Sequence, residues 1–286
     1  MAKNFIIKDP RPHTCDARLL TRQSRKPDNP AMPVAQTSSR DLIDRLNDMR
    51  RDPINEVALR AIQNEAEAIK ATDALGAYTV LGGIACLRGD TKAMHEAHQK
   101  ALRLAPRDIV ANINYASSLL YSGLIADALE WFRRTHTLAP HDPVILNALI
   151  ETLAGVGRYR EAQQLLPEWE HLNPQQPRLD TGLIQEGSRF LNTIGISDDE
   201  QQDVTQTIVA ALAPSGKRSA GDVIRIMQED GVGDFWLERL VHVPHVSPEE
   251  VVNLNEAAAE KIVAMPNESI REHIIVRYTS STPDGH

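Results

Sequence analysis

Apolar residues recur at three- and four-residue spacing along most of this chain, which predicts one helix after another. Leu42, Ile43, Leu46 and Met49 follow a capping Ser39 and an acidic Asp41, and Asp52-Pro53 ends the segment. A second helix is predicted over 54–71, with Val57, Ala58, Ala61, Ile62 and Ile69 on one face and Glu65 interrupting it. From residue 75 the pattern becomes periodic. Leu104-Ala105-Pro106, Leu138-Ala139-Pro140 and Leu172-Asn173-Pro174 place their prolines 34 residues apart. Aligned on them, the units are 75–108, 109–142 and 143–176, and Gly89, Gly123 and Gly157 fall at the same place in each. A glycine there suits the turn between two antiparallel helices. Such a pair cannot bury its own apolar face, so neighbouring pairs must stack to complete a core. Small residues at Gly82, Ala116, Ala128 and Ala162 let the helix backbones approach.

Past Pro177 the period stops. Residues 179–191 read as a helix covering the last unit, with Leu183, Ile184 and Phe190 inward and Glu186 and Arg189 outward. Ser197 followed by Asp198, Asp199 and Glu200 opens another helix to Leu212, since acids suit the positive helix start. Pro214-Ser215-Gly216 closes it. Residues 223–227 and 235–243 are rich in Ile, Val, Phe and Trp around Asp230-Gly231-Val232-Gly233, which favours a hairpin. A short helix over 220–229, capped by Ser219, stays open as the alternative. Ser247-Pro248-Glu249-Glu250 starts a helix to Val263 that buries Val251, Leu254, Ala258 and Ile262, and 273–279 ends the pattern as a strand. The order α-β-β-α-β predicts a small α+β domain with a helix on one face of a sheet.

The 34-residue units resemble the tetratricopeptide repeat. The family's large, leucine and small residues of the first helix are met by Tyr78, Leu81 and Gly82 in the first unit. Asn112, Tyr115 and Ala116 stand there in the second, and Leu146, Leu149 and Ile150 in the third. Its second-helix alanine is matched by Ala128 and Ala162, with Met94 in the first unit. Its aromatic is matched by Phe132, while Leu166 substitutes and His98 departs. The fold this implies is mainly α: an αα superhelix of the tetratricopeptide type followed by the small α+β domain. The domains are then a basic tail at 1–40, a repeat domain with capping helices at 41–195, and the α+β domain at 196–286.

The resemblance also implies a concave groove that holds a peptide or protein partner. Its lining would include Thr79, Cys86, Ile113, Asn114, Ser117, Tyr121, Asn147 and Glu151, of which Thr79, Asn114, Ser117, Tyr121, Asn147 and Glu151 are the candidate partner-binding residues. Family members that grip a C-terminal carboxylate use Lys, Asn and Arg at set places. This chain has Thr79, Gly83, Val144 and Ala148 there and matches only at Asn114, which disfavours such a ligand. Asn114 and Tyr121 are two helical turns apart and project from one face, as Asn147 and Glu151 do at i, i+4.

Composition narrows the classes. Of 286 residues 42% are hydrophobic, enough for a core, while only 4% are aromatic. No apolar run is long enough for a membrane helix, so no membrane partner is expected. Two distant cysteines, Cys15 and Cys86, and a polar N-terminus predict a reduced, cytoplasmic setting without secretion. The net charge of −8 makes broad nucleic-acid binding unlike this chain, although residues 1–40 hold eight Lys/Arg against three Asp. That proline-rich arm lacks the apolar surface to order itself.

Candidate chemistry is sparse. The sequence has no phosphate loop, paired-cysteine metal site or nucleophile elbow. His242 and His245 flank Pro244 near Glu249 and His273 but would point to opposite faces of a strand. His95 and His98 share a helical face without a third ligand, so no metal and no cofactor are expected. Trp131, Trp169 and Trp236 read as inter-helix filler. The reading is a non-catalytic adaptor or scaffold whose repeats bind a protein or peptide, with self-association open. An enzyme or nucleic-acid module in the C-terminal domain, with the repeats recruiting substrate, is the alternative.

Overall fold

The computed structural model describes residues 38–49, 54–172, 179–212, 221–228 and 235–280. The basic arm, the Asp52-Pro53 break, Ser219 and the turns at 214–216 and 230–233 lie outside the described residues. Among the described residues the chain is mainly α, with twelve helices and a three-stranded sheet at the C-terminal end. Contacts divide it into two compact units between Ile145 and Leu146. The boundary read from the sequence lies at 195/196.

The first unit is built from α1 (Ser39–Met49), α2 (Glu56–Ile69), α3 (Ala74–Arg88), α4 (Thr91–Leu104), α5 (Ile109–Tyr121) and α6 (Ile125–Leu138). Consecutive helices pack pairwise, α3 on α4 and α5 on α6, and α3 also packs on α5. The turns are made as their spacing predicts: Gly89 and Gly123 have φ of 75° and 77°, the left-handed region open to glycine. Helix starts repeat as well. Asp73, Asp90 and Asp108 each accept a hydrogen bond from the backbone three residues on, at 2.9 Å.

Two details depart from the sequence reading. The cap of α1 is Ser38, whose Oγ accepts from the Asp41 N–H at 3.2 Å; Ser39 instead donates to Asp73 at 2.6 Å. In α2 the buried residues are Leu59, Ile62 and Ala66, while Val57 is 79% exposed. The predicted stripe carried Glu65, whereas the stripe from Leu59 through Ile62 and Ala66 to half-buried Ile69 avoids every charge. Rotated that way, Glu65 lies at the border and takes both bonds from Arg45 Nη1, each 2.9 Å. The stripe packs with Leu42, Ile43, Leu46, Val80, Ile84 and Leu87.

Gly82 shows why a small residue stands there. A Cβ at that position would lie 2.6 Å from the ring of His98, which is fully buried and hydrogen-bonded through Nε2 to Ser118 Oγ at 2.9 Å.

The second unit holds the rest of α7 (Pro143–Gly155), then α8 (Tyr159–Leu172), α9 (Thr181–Ile194) and α10 (Asp198–Leu212). After them come β1 (Gly221–Gln228), β2 (Phe235–His242), α11 (Pro248–Val263), α12 (Glu268–His273) and β3 (Ile274–Thr279). Gly157 and Gly195 repeat the left-handed turn at φ 88° and 71°. The sheet order is β1-β2-β3. β1 and β2 pair antiparallel as the favoured hairpin, with Ile224 opposite Arg239. β3 returns parallel to β2 after the α11 crossover. Ser247 and Glu250 form the capping box that starts α11. One helix was not anticipated: α12 precedes β3 and takes His273, so the strand begins one residue later than predicted.

Gly82→Ala should cost about 1–3 kcal/mol of stability, the range for overpacking, because the new methyl meets a ring that cannot withdraw. Urea unfolding measures it, and combining it with His98→Ala should cost less than the sum of the two.

Candidate functional site

The groove predicted from the repeat pattern rests on the first helix of each pair. α5 carries no charged residue from Ile109 to Tyr121, and every residue from Ala111 to Leu119 is buried. A helix that is apolar or small on all sides belongs in an interior. Thr79, Asn114 and Ser117 are accordingly 2%, 0% and 2% exposed. The Thr79 hydroxyl is spent within its own helix, donating to Leu75 O at 2.9 Å. Cys86 and Ile113 are equally closed, with the Cys86 thiol 3.3 Å from Ser118 O. Tyr121 is half-buried and packs against both apolar clusters of the first unit.

In the second unit, half-buried Asn147 accepts a bond from Trp169 Nε1 at 3.1 Å. Glu151, one turn along α7, is half-buried too. Of the six candidate residues, therefore, Tyr121 in one unit and Asn147 and Glu151 in the other reach solvent.

Between α4, α5 and α6 lies an aromatic stack. His95 Nδ1 is 2.6 Å from the Tyr115 hydroxyl, His98 stacks on the Tyr115 ring at 5.1 Å, and Trp131 meets it at 4.9 Å. Arg134 sits 4.5 Å over the Trp131 ring. Burial, reinforced by the charge of Asp127, pushes the Tyr115 hydroxyl above its ordinary pKa. These side chains fill the space that the departing aromatic at His98 would leave.

His242 is half-buried, His245 exposed and His273 half-buried. Among the described residues no group of three or more His, Cys, Asp or Glu could hold a metal ion. No described helix is long and apolar enough to cross a membrane. A shallow recess of about 440 Å³ between α8 and α9 is lined by Gln163, Gln185, Ser188, Arg189, Asn192 and Thr193. All six lining residues are of polar type, unlike the lining of most small-molecule sites.

The strongest polar constellation was not read from the sequence. Arg239 on β2 is 6% exposed. Its Nε pairs with the Asp222 carboxylate on β1, Nη1 donates to Thr205 Oγ1 at 2.7 Å, and Nη2 donates to Gly155 O at 3.0 Å. The Thr205 hydroxyl donates to Val156 O at 2.9 Å. One guanidinium thus joins two strands to α10 and meets the last carbonyl of α7. Strand alternation held the signal: Arg239 shares the face of Leu237 and Val241, and Asp222 that of Ile224 and Ile226. Nearby, the Tyr278 hydroxyl donates to Ile208 O at 2.7 Å, and burial pushes its pKa well up. At the start of α10, bonds from the Ser197 backbone, the Asn267 amide and the Ser197 hydroxyl hold Glu200 below the ordinary glutamate value.

Comparison with protein-family models, with curated proteins and with solved structures finds no match to this chain.

Arg239→Ala should destabilise by about 3–5 kcal/mol, because it strands a buried carboxylate. In urea unfolding, Arg239→Ala with Asp222→Ala should cost less than the two single changes together. Glu200 gives a pH dependence. Its folded pKa is depressed, so its stabilisation is complete above the ordinary glutamate value and is lost as pH falls through the lowered one. Glu200→Gln should flatten that acid limb in unfolding midpoints measured from neutral to acid pH.

Proposed function

We propose that this chain is a non-catalytic interaction protein of the tetratricopeptide-repeat kind, an adaptor or scaffold whose helical repeats hold a protein or peptide partner. The observation that carries this reading is the recurrence itself. Left-handed glycines at Gly89, Gly123 and Gly157 and capping aspartates at Asp108 and Asp142 return every 34 residues of sequence, with helices packed pairwise between them. A repeated helix pair is a device for building surface rather than a reaction centre.

Partner contact then falls to the candidate residues that reach solvent. Tyr121 offers a broad ring with a hydroxyl in the first unit. Asn147 and Glu151 offer an amide and a carboxylate on α7, which favour a neutral or basic ligand. Thr79, Asn114 and Ser117 support the helices from inside.

The test is site-specific photo-crosslinking in the native cell with the full chain. A crosslinking side chain at Tyr121 or at Glu151 should capture a defined protein, and one at exposed Val252 on α11 should not. Glu151→Ala should then weaken that complex by about 1–3 kcal/mol in calorimetry. Equal yields at all three positions would sink the proposal.

A further inference from the structure

The two edges of the sheet are finished differently. On β3 the outward backbone of Tyr278 is closed by a side chain: Asn255 Oδ1 accepts from its N–H at 2.8 Å, and Asn255 Nδ2 donates to its C=O at 3.2 Å. The amide of α11 stands where a fourth strand would. Among the described residues β1 has no such cover. Alternate residues of its eight turn their N–H and C=O away from β2, and among the described residues nothing bonds to them. The strand contains no proline. A strand edge of this length with unpaired backbone is a template for another strand.

The side chains on that edge say what the strand must carry. Asp222, Ile224 and Ile226 face the core, so Val223, Arg225 and Met227 share the other face. Arg225 is only partly satisfied. Its Nη1 lies 3.5 Å from Glu238 on β2, a carboxylate that also serves Arg277 at 3.4 Å. Both distances exceed those of a charge-assisted hydrogen bond, and one carboxylate is shared by two guanidiniums. Arg225 Nε is buried with no hydrogen-bond partner. A group in that state gains from a second carboxylate on its open side.

We infer that the outer edge of β1 is a second interaction surface, which takes an extended segment of another protein by strand addition. The segment places an Asp or Glu beside Arg225 and apolar residues two positions to either side, against Val223 and Met227. Backbone bonds supply the pairing, and the acidic residue supplies the choice of partner. A second copy of β1 does not fit this site: that face of the strand holds no acid, and its symmetric registers oppose Arg225 with Arg225, Val223 or Met227. The inference does not rest on the repeat reading.

Synthetic peptides of the length of β1, alternating threonine and valine with one central glutamate, test it against the full-length chain by fluorescence anisotropy. The glutamate peptide should bind saturably, and its glutamine counterpart about ten-fold more weakly. The same peptide with alternate backbone amides N-methylated should not bind, because the ladder is blocked. Arg225→Gln should abolish the preference for glutamate. Absence of saturable binding, equal binding of the glutamate and glutamine peptides, or undiminished binding of the N-methylated peptide overturns the proposal. So does self-association of the chain, in sedimentation, that excludes the glutamate peptide.

Discussion

Each repeat helix begins within a few residues of the end of the one before, and the orphan N–H and C=O groups at those ends have no long loop in which to find partners. The chain meets this constraint with one arrangement used repeatedly. A left-handed glycine at 89, 123, 157 or 195 turns the backbone at the close of a helix. An acidic side chain at 73, 90, 108, 142 or 180 takes the first free N–H groups of the next. The start of α8 borrows its acid from elsewhere: Asp198 of α10 accepts from the backbone N–H groups of Arg160 and Glu161 at 3.3 and 3.0 Å. The pairwise packing follows, since short turns force neighbouring helices to lie alongside one another.

What was legible in the sequence is what is local. Glycine at a left-handed turn, proline past a helix end and an acid before a helix start each act within four residues, so their spacing displayed the helix pairs directly. The face of α2 was harder, because Leu59 and Val57 are equally apolar and only the neighbouring helices decide which goes inside. Asn114 and Ser117 illustrate the same limit. Polar residues suggested a wet face, but an uncharged helix buried along its length encloses small polar groups as readily as apolar ones. Arg239 and Asp222 are 17 residues apart: strand alternation puts each on an apolar face, but only the register of the hairpin brings the two charges together there.

His98 is a departure with a consequence for packing. Where the repeat pattern prefers an aromatic, an imidazole sits between Gly82 and Tyr115 and bonds to Ser118. The ring keeps the stacking of an aromatic and adds a directional bond between α4 and α5. Helix separation there is set by a bond length as well as by van der Waals contact.

The bond from Arg239 to the carbonyl of Gly155 spans 84 residues. During synthesis α7 is complete long before β2 exists, so the end of that helix must wait in water for its partner. In the first unit the bonds of Cys86 with Ser122, Ser39 with Asp73 and Arg88 with Glu56 span 36, 34 and 32 residues. Order of assembly is therefore written into the contacts, with local stacking available to the emerging chain and closure of α7 reserved for its last third.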